Sequence, residues 1–279
     1  MSMFNKVSLK GVLVAGVLLA SIGISPVIAA ETLQLGVIPL KPASTMNKMF
    51  KPLAAYLSKE LGVEVKLRIG KDYNATVEDL GKGVIQIAYL GPATYAEASA
   101  KYPVEAIAKP LLKGKPTYTS IIITKKGSGI NSVADIKGKK FAFGSKKSTS
   151  SHLMPRSILA GAGIQLSDLG KYSYTGSHPN VAKAVLAGAF DAGGIMDAVA
   201  AEYKDKGLEY IKVSDPIPEF PIAVKKDMDS GMKAKIKKAL LALNDPAIIG
   251  KINKKFTGFA SAQDSDYDVI RTMQKNLGK

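Results

Sequence analysis

The sequence predicts an α/β protein of two lobes, each a parallel sheet with helices on its faces, joined by two extended crossings. Three observations lead there. Short apolar strands alternate with segments of helical spacing, the order of a helix-covered parallel sheet. The alternation pauses near 127 and restarts near 132. The stretch YIKVSDPIPEFPIAVKK, 210–226, carries three prolines and reads as an extended return from the second unit to the first.

The elements follow in order. LQLGVIPL, 33–40, is a buried strand running into a loop. Residues 47–61 place Met49, Phe50, Leu53, Leu57 and Leu61 on one helical face. VEVKLRI, 63–69, alternates and is a strand. Asp72 is the expected N-cap of a helix that runs to Gly81. VIQIAYLG, 84–91, is a buried strand ending before Pro92, and TYAEASAK, 94–101, a short helix. TSIIITKKGSG, 119–129, is a strand and an exit. The second unit opens with a short helix at 132–136 and a strand at 140–144. Helix 152–162, strand 171–175, helix 179–186, strand 190–195 and helix 198–205 follow. The remainder, 230–277, reads as three helical segments. The predicted lobes are 31–122 with 223–279, and 123–222, with crossings near 120–127 and 215–224.

Residues 1–30 precede this pattern. Lys6 and Lys10 form a basic start, Gly11–Ile24 is an uncharged apolar run, and Pro26 leads to the small residues Ala29 and Ala30. This is the layout of a cleaved secretory signal. The run is shorter than the ~20 residues of a spanning helix, and no cysteine offers a lipid attachment point. Cleavage after Ala30 leaves about 249 residues, enough for one large or two medium domains. With no cysteine, disulfides and thiolate metal sites are excluded.

Removing Lys6 and Lys10 from 39 basic residues leaves 37 against 23 acidic, a formal +14. Such a charge suggests nucleic acid. Export and the dispersion of the lysines argue against that, since only KAKIKK, 233–238, is clustered, and it reads as a solvated helix face. Steering of a small anion and general solubility both account for the charge.

The chemistry concentrates at GSKKSTSSHLMP, 144–155, where Ser148, Thr149, Ser150 and Ser151 precede a helix. A helix start presents amides without partners and the positive end of the helix dipole. An anion is held there by N–H donors, and the hydroxyls add more. One N-cap with solvated neighbours is the plainer account of such a run. Its position after strand 140–144 places it at the carboxyl edge of a sheet, where α/β folds bind ligands. The same edge carries His178 after the next strand and Asp197 after the one beyond, the latter a ligand acceptor or a plain N-cap. Tyr73 and Tyr95 stand at helix starts of the first lobe, and Tyr118 at the first crossing. Phenols donate across a cleft, and they also serve as packing residues. Two-lobed proteins of this kind close on a ligand by hinge motion.

The segments DYNATVEDL (72–80), IAYLGPATYAEA (87–98), PTYTSIIITKKGSGINSVADIKGKKFAFGSKKSTSSHLMP (116–155), GSHPNVAKAVLAGAFDAG (176–193) and DPIPEFPIAVKK (215–226) occur in order and with matching spacing. In these the chain resembles the substrate-binding component of phosphate, phosphite and phosphonate ABC importers. The resemblance covers essentially the whole chain after residue 30. It implies a type II periplasmic binding-protein fold of two Rossmann-like α/β lobes, a periplasmic location, and delivery of a phosphorus oxyanion to a membrane permease. By the same resemblance Ser148, Thr149 and Ser150, with the Ser151 amide, cradle the phosphonyl oxygens. Tyr73 and Tyr118 approach from the first lobe and the crossing, and His178 completes the contacts. Asp197 matches an acid that faces the amine in aminophosphonate binders. Those binders carry a second acid in the return crossing, where this chain has Phe220 beside Glu219. The departure implies phosphate, phosphite or a small alkylphosphonate rather than an aminoalkylphosphonate.

No cofactor, metal or nucleic acid is expected as a partner, and a monomer is expected. No nucleophile elbow, HExxH or phosphate-binding glycine-lysine signature points to an enzyme. A sensor of the same fold, and a binder of a sulfur oxyanion or organic anion, remain rival readings. Thr149→Val is expected to weaken binding with little loss of stability, on the view that its hydroxyl faces solvent.

Overall fold

The computed structural model describes residues 32–278 together with Met1 and Met3. The expected signal segment lies outside the described residues. The first strands and helices are β1 (Leu33–Val37), α1 (Ala43–Leu61), β2 (Val65–Ile69), α2 (Tyr73–Gly81), β3 (Ile87–Tyr89), α3 (Pro92–Lys101) and β4 (Val104–Leu112). A two-residue strand, β5 (Thr117–Tyr118), leads into β6 (Ser120–Lys125) and β7 (Lys140–Phe143). Then come α4 (Met154–Gly161), β8 (Lys171–Tyr174), α5 (His178–Leu186), β9 (Ala192–Met196), α6 (Asp197–Lys204) and β10 (Leu208–Val213). The chain returns through β11 (Ile217–Pro218) and β12 (Ile222–Lys225). It finishes with α7 (Ser230–Ala242), α8 (Pro246–Ile252), β13 (Phe256–Ser261) and α9 (Asp268–Asn276).

Two sheets organise these elements. One has the order β13-β4-β12-β3-β1-β2, the other β10-β6-β9-β7-β8. β1, β2 and β3 are parallel, as are β7, β8 and β9. Both sheets are nonetheless mixed. β12 runs antiparallel to β3 and β4, β13 to β4, and β6 to β9 and β10. Two of these strands are absent from the sequence reading. β4 carries Pro110 and the ion-paired Lys109, and Pro103 stands just before it. β13 contains Gly258 at φ +155 and pairs with β4 through a register shift. Neither shows the alternation that marks a strand.

The position of the first crossing also differs from expectation. β6 is an interior strand of the five-stranded sheet, so 120–125 belongs to that sheet. The connecting chain is 113–119. Within it β5 pairs antiparallel with β11, Tyr118 opposite Ile217 and Thr117 opposite Pro218. The two crossings therefore meet in a short ladder of their own between the lobes.

Apolar burial explains why each sheet is stable. Leu35, Val37, Ile87 and Ala88 of the first sheet pack with Phe50, Leu53 and Leu57 of α1 and Val77 and Leu80 of α2. One face of the second sheet is covered by Val181 and Val185 of α5 with Val199 and Ala200 of α6. Leu159 of α4, Ile136 and Ile164 cover the other, against Phe141 and Phe143. The helices thus rise from strand ends with their first residues at the carboxyl edge, which places the candidate residues.

Close approach of α5 to β9 depends on Gly193, where an added Cβ would lie 2.5 Å from Val181 Cγ1 and 2.9 Å from the Ala142 carbonyl oxygen. Gly193→Ala is expected to destabilise the protein by about 1–3 kcal/mol, as overpacking does, read by urea denaturation. An unchanged midpoint would show that this junction has room to spare.

Candidate functional site

The hydroxyl run forms a wide turn. Residues Thr149–Leu153 adopt π-helical geometry before α4, with Ser148 as the N-cap. Leu153 N donates to the Ser148 carbonyl at 3.1 Å. The first helical acceptor is therefore met one residue later than in an α-turn, which leaves one more amide at the helix start. Pro155 helps explain the shape. It has no N–H, so the Ser151 carbonyl is left to accept from Gly144 N at 3.0 Å. Its ring lies where a Cβ on Gly194 would stand, 2.2 Å from Cγ. Ser120 Oγ donates to the Ser150 carbonyl at 2.7 Å. Two carbonyls thus anchor the turn to β6 and to the end of β7, and the side chains face inward.

Those side chains are buried, with Ser148, Thr149, Ser150 and Ser151 at most 3 % exposed. Ser148 Oγ accepts from Ser151 N at 3.1 Å. Thr149 Oγ1 accepts from Ala93 N, at the start of α3 in the other lobe, at 2.8 Å. The expectation of a solvent-facing Thr149 hydroxyl is corrected here, because it closes a hydrogen bond across the cleft. Among the described residues Ser150 Oγ and Ser151 Oγ have no hydrogen-bond partner. Ser151 Oγ sits over Gly144, where an added Cβ would be 2.1 Å away.

His178 is the first residue of α5 and is 1 % exposed. Its Nδ1 accepts from Met196 N at 3.1 Å. A ring nitrogen that accepts carries no proton, so the neutral ring donates from Nε2. Nε2 is buried and has no hydrogen-bond partner among the described residues. Burial, with the Lys41 charge adding, holds the His178 pKa down to about 3. At neutral pH His178 is therefore an uncharged donor.

Two phenols face the run from the other side of the cleft. Tyr73, first residue of α2, lies against Ser148, and Tyr118 against Ser150 and Thr149. The Tyr118 hydroxyl is buried and does not reach full hydrogen-bond geometry with any group of the described residues. Burial raises both phenol pKa values, so both hydroxyls keep the proton they donate. Phe220 packs beside Tyr118, with centroids 5.1 Å apart, and stacks on Tyr89 at 5.3 Å and 11°.

Two expected residues are placed otherwise. Tyr95 is fully buried within its own lobe. Its hydroxyl donates to Asp264 Oδ1 at 2.7 Å and accepts from Ala106 N at 3.0 Å. Both capacities are used, and the structure does not bring it to the group. Asp197 is the first residue of α6 rather than its N-cap. Its Oδ2 accepts from Thr119 N at 3.2 Å and Thr119 Oγ1 at 3.3 Å, and its Oδ1 from Ala198 N at 2.7 Å. Burial raises its pKa. Its oxygens are committed to the protein. It also lines a cavity of about 370 Å³ beside the β5–β11 ladder, rimmed by Lys113, Lys115 and Lys255. His152 turns away, joining its Nδ1 to the Lys146 carbonyl and its Nε2 to the Tyr174 hydroxyl.

Sequence reasoning missed the Ala93 amide and gave Glu219 no role. The Gly91-Pro92 pair after β3 was the available signal for the first. Glu219 is 2 % exposed, its Oε2 accepts from Phe220 N at 3.2 Å, and burial pushes its pKa up to about 8. The return crossing therefore does carry an acid, one residue before the aromatic ring. Among the described residues no metal-binding cluster of His, Cys, Asp and Glu occurs. The arrangement is a set of neutral donors able to hold a small oxyanion.

The titrations set a pH dependence of stability. The unfolded chain protonates His178 near 6.5 and the fold resists until about 3, so stability falls as pH drops through that window. For Glu219 the fold holds its proton from 4.5 to about 8 while the unfolded chain has lost it, so stability falls as pH rises there. The limiting slope for either group is roughly 1.4 kcal/mol per pH unit. In denaturation series, His178→Asn is expected to flatten the acid limb and Glu219→Gln the limb between 4.5 and 8. Unchanged slopes in both variants would show that neither group titrates as its burial requires.

Residues 35–267 match the protein family described as ABC transporter, phosphonate, periplasmic substrate-binding protein. The chain is 28 % identical, over 99 % of both chains, to a probable ABC transporter phosphite binding protein, PhnD1, of Prochlorococcus marinus. It is 28 % identical to the phosphate-import protein PhnD of Mycolicibacterium smegmatis, over 85 % of this chain and 73 % of that one. The structure of Prochlorococcus marinus PhnD1 in complex with methylphosphonate superposes with a TM-score of 0.82 at 25 % identity, covering 89 % of this chain and 98 % of that one. The architecture is accordingly the type II periplasmic binding-protein fold. With the matched segment spanning both sheets and the whole candidate site, the chain belongs to the phosphonate ABC transporter family of periplasmic substrate-binding proteins.

Proposed function

We propose that the chain binds phosphate, phosphite or a small alkylphosphonate between its lobes and presents it to an ABC permease. The observation that carries this reading is the set of four buried polar atoms without hydrogen-bond partners among the described residues. They are Ser150 Oγ, Ser151 Oγ, Tyr118 Oη and His178 Nε2. A buried donor left unsatisfied is unfavourable by about 1–3 kcal/mol, and a tetrahedral oxyanion has enough oxygens to accept from all four. Each donor is neutral, so helix starts and hydroxyls supply the attraction without a formal charge in contact. The names of the relatives support a phosphorus oxyanion as the ligand.

The mechanism is binding without chemistry. The anion meets the turn at 148–151 and His178 on the five-stranded lobe. Tyr73, Tyr118 and the α3 start then close from the other side, and their extra contacts favour the closed form. The lobes of this reading divide at the β5–β11 ladder, where the chain crosses twice. The reading includes export through a signal cleaved after Ala30, a monomeric state, and no turnover of phosphate esters.

Ser150→Ala and Ser151→Ala test it. Each removes a hydroxyl that bonds nothing in the protein, so folding stability is expected to hold. A hydrogen bond to a charged group contributes about 1.5–3 kcal/mol, so each variant is expected to bind about 10–100-fold more weakly. Titration calorimetry against phosphite, phosphate and methylphosphonate reads the change. Wild-type affinity in both variants would remove the cradle from the account.

A further inference from the structure

Among the described residues, two ion pairs join the lobes across the cleft. Lys41, in the loop after β1, reaches Glu202 of α6 at 2.5 Å. Lys147, just before the hydroxyl run, reaches Glu97 of α3 at 2.6 Å. The exchange is reciprocal. The six-stranded lobe gives a lysine to the first pair and a glutamate to the second, and the five-stranded lobe does the opposite. Neither lysine nor its partner is hydrogen-bonded to the four donors of the cradle, and neither pair lies within a single lobe. Both pairs form only when the lobes are together, so their attraction bears on closure and leaves the fold of each lobe alone.

We propose that Lys41–Glu202 and Lys147–Glu97 are paired straps that hold the cleft shut and so set how slowly the bound anion leaves. The proposal rests on the oxyanion-binding reading for its ligand, while the straps themselves are properties of the empty as well as the loaded protein. Any contact made only in the closed state favours that state by its own differential free energy. A contact that must break before release acts on the dissociation rate. The side chains are 20–48 % exposed, so each pair is a weak surface pair. Two that tie different elements of the lobes, the β1 loop to α6 and the serine turn to α3, oppose their separation at two places. Lys41 has a second consequence, since its charge is felt at His178 and so adds attraction for an anion at that end of the cradle.

The test has a ligand arm and a ligand-free arm, each on Lys41→Gln, Glu202→Gln, their double variant and the charge-swapped Lys41→Glu with Glu202→Lys. Release of phosphite, phosphate or methylphosphonate is followed by stopped flow. Each single Gln variant is expected to speed release about two- to fivefold. The double Gln variant should do no more than the more damaging single, and recovery by the swapped pair is read in the ligand-free arm, where the Lys41 charge near His178 does not act on an anion. Melting of the ligand-free variants should match wild type, which separates a strap from a fold contact. In the second arm, small-angle scattering of the ligand-free protein is expected to show a larger radius of gyration for the broken pair and recovery in the swap. Additive effects in the double variant, or unchanged release and unchanged radius throughout, would overturn the straps. Failure of all three anions to bind wild type would instead overturn the oxyanion reading, with the scattering arm still deciding the straps.

Discussion

The structure turns on a convergence of helix starts. α2 contributes Tyr73, α3 the Ala93 amide, the wide turn before α4 the run 148–151, and α5 His178. Each start carries partial positive charge and amides without helical partners. Gathering four such ends in one buried place is unfavourable unless negative charge stands between them. The hydroxyls and the Nε2–H of His178 add donors of the same sense. In the proposed reading these groups, almost all neutral, attract an anion.

That convergence follows from the topology. Parallel strands followed by helices put every helix start at the same sheet edge. Here β2, β3, β7 and β8 each feed one of the four helices. Two sheets joined by the β5–β11 ladder turn those edges toward each other. Closure is then a matter of differential contacts, among them Thr149 to Ala93 and the two phenols against the serine turn. Acids near these groups must be neutral or committed. Glu219 is pushed up to about 8 by burial, and Asp197 spends its oxygens on Thr119 and Ala198.

Much of this was legible in the sequence because it depended on local signals. Asp72 caps α2 by accepting from Ala75 N as its position suggested, and β1 to α3 and β7 to α6 follow the apolar periodicity. The serine run declared itself by excess, since one cap would have sufficed. What escaped depends on partners distant in sequence. β4 is a strand because it finds β12 and β13, and β13 because it finds β4, and their prolines, glycine and lysine hide any alternation. Tyr95 stands at a helix start like Tyr73, yet Asp264, 169 residues away, takes its hydroxyl. The burial of Thr149 could not be read locally either, because its partner belongs to the opposite lobe.

The claim at the centre is that a tetrahedral oxyanion sits among these helix starts. Arsenate has the right shape and an anomalous signal, so a crystal grown with it locates the anion directly. The expected result is one arsenic site within hydrogen-bonding reach of Ser150 Oγ, Ser151 Oγ, Tyr118 Oη and His178 Nε2. An arsenic peak in the lysine-rimmed cavity beside Asp197, with none at the serine turn, would contradict it.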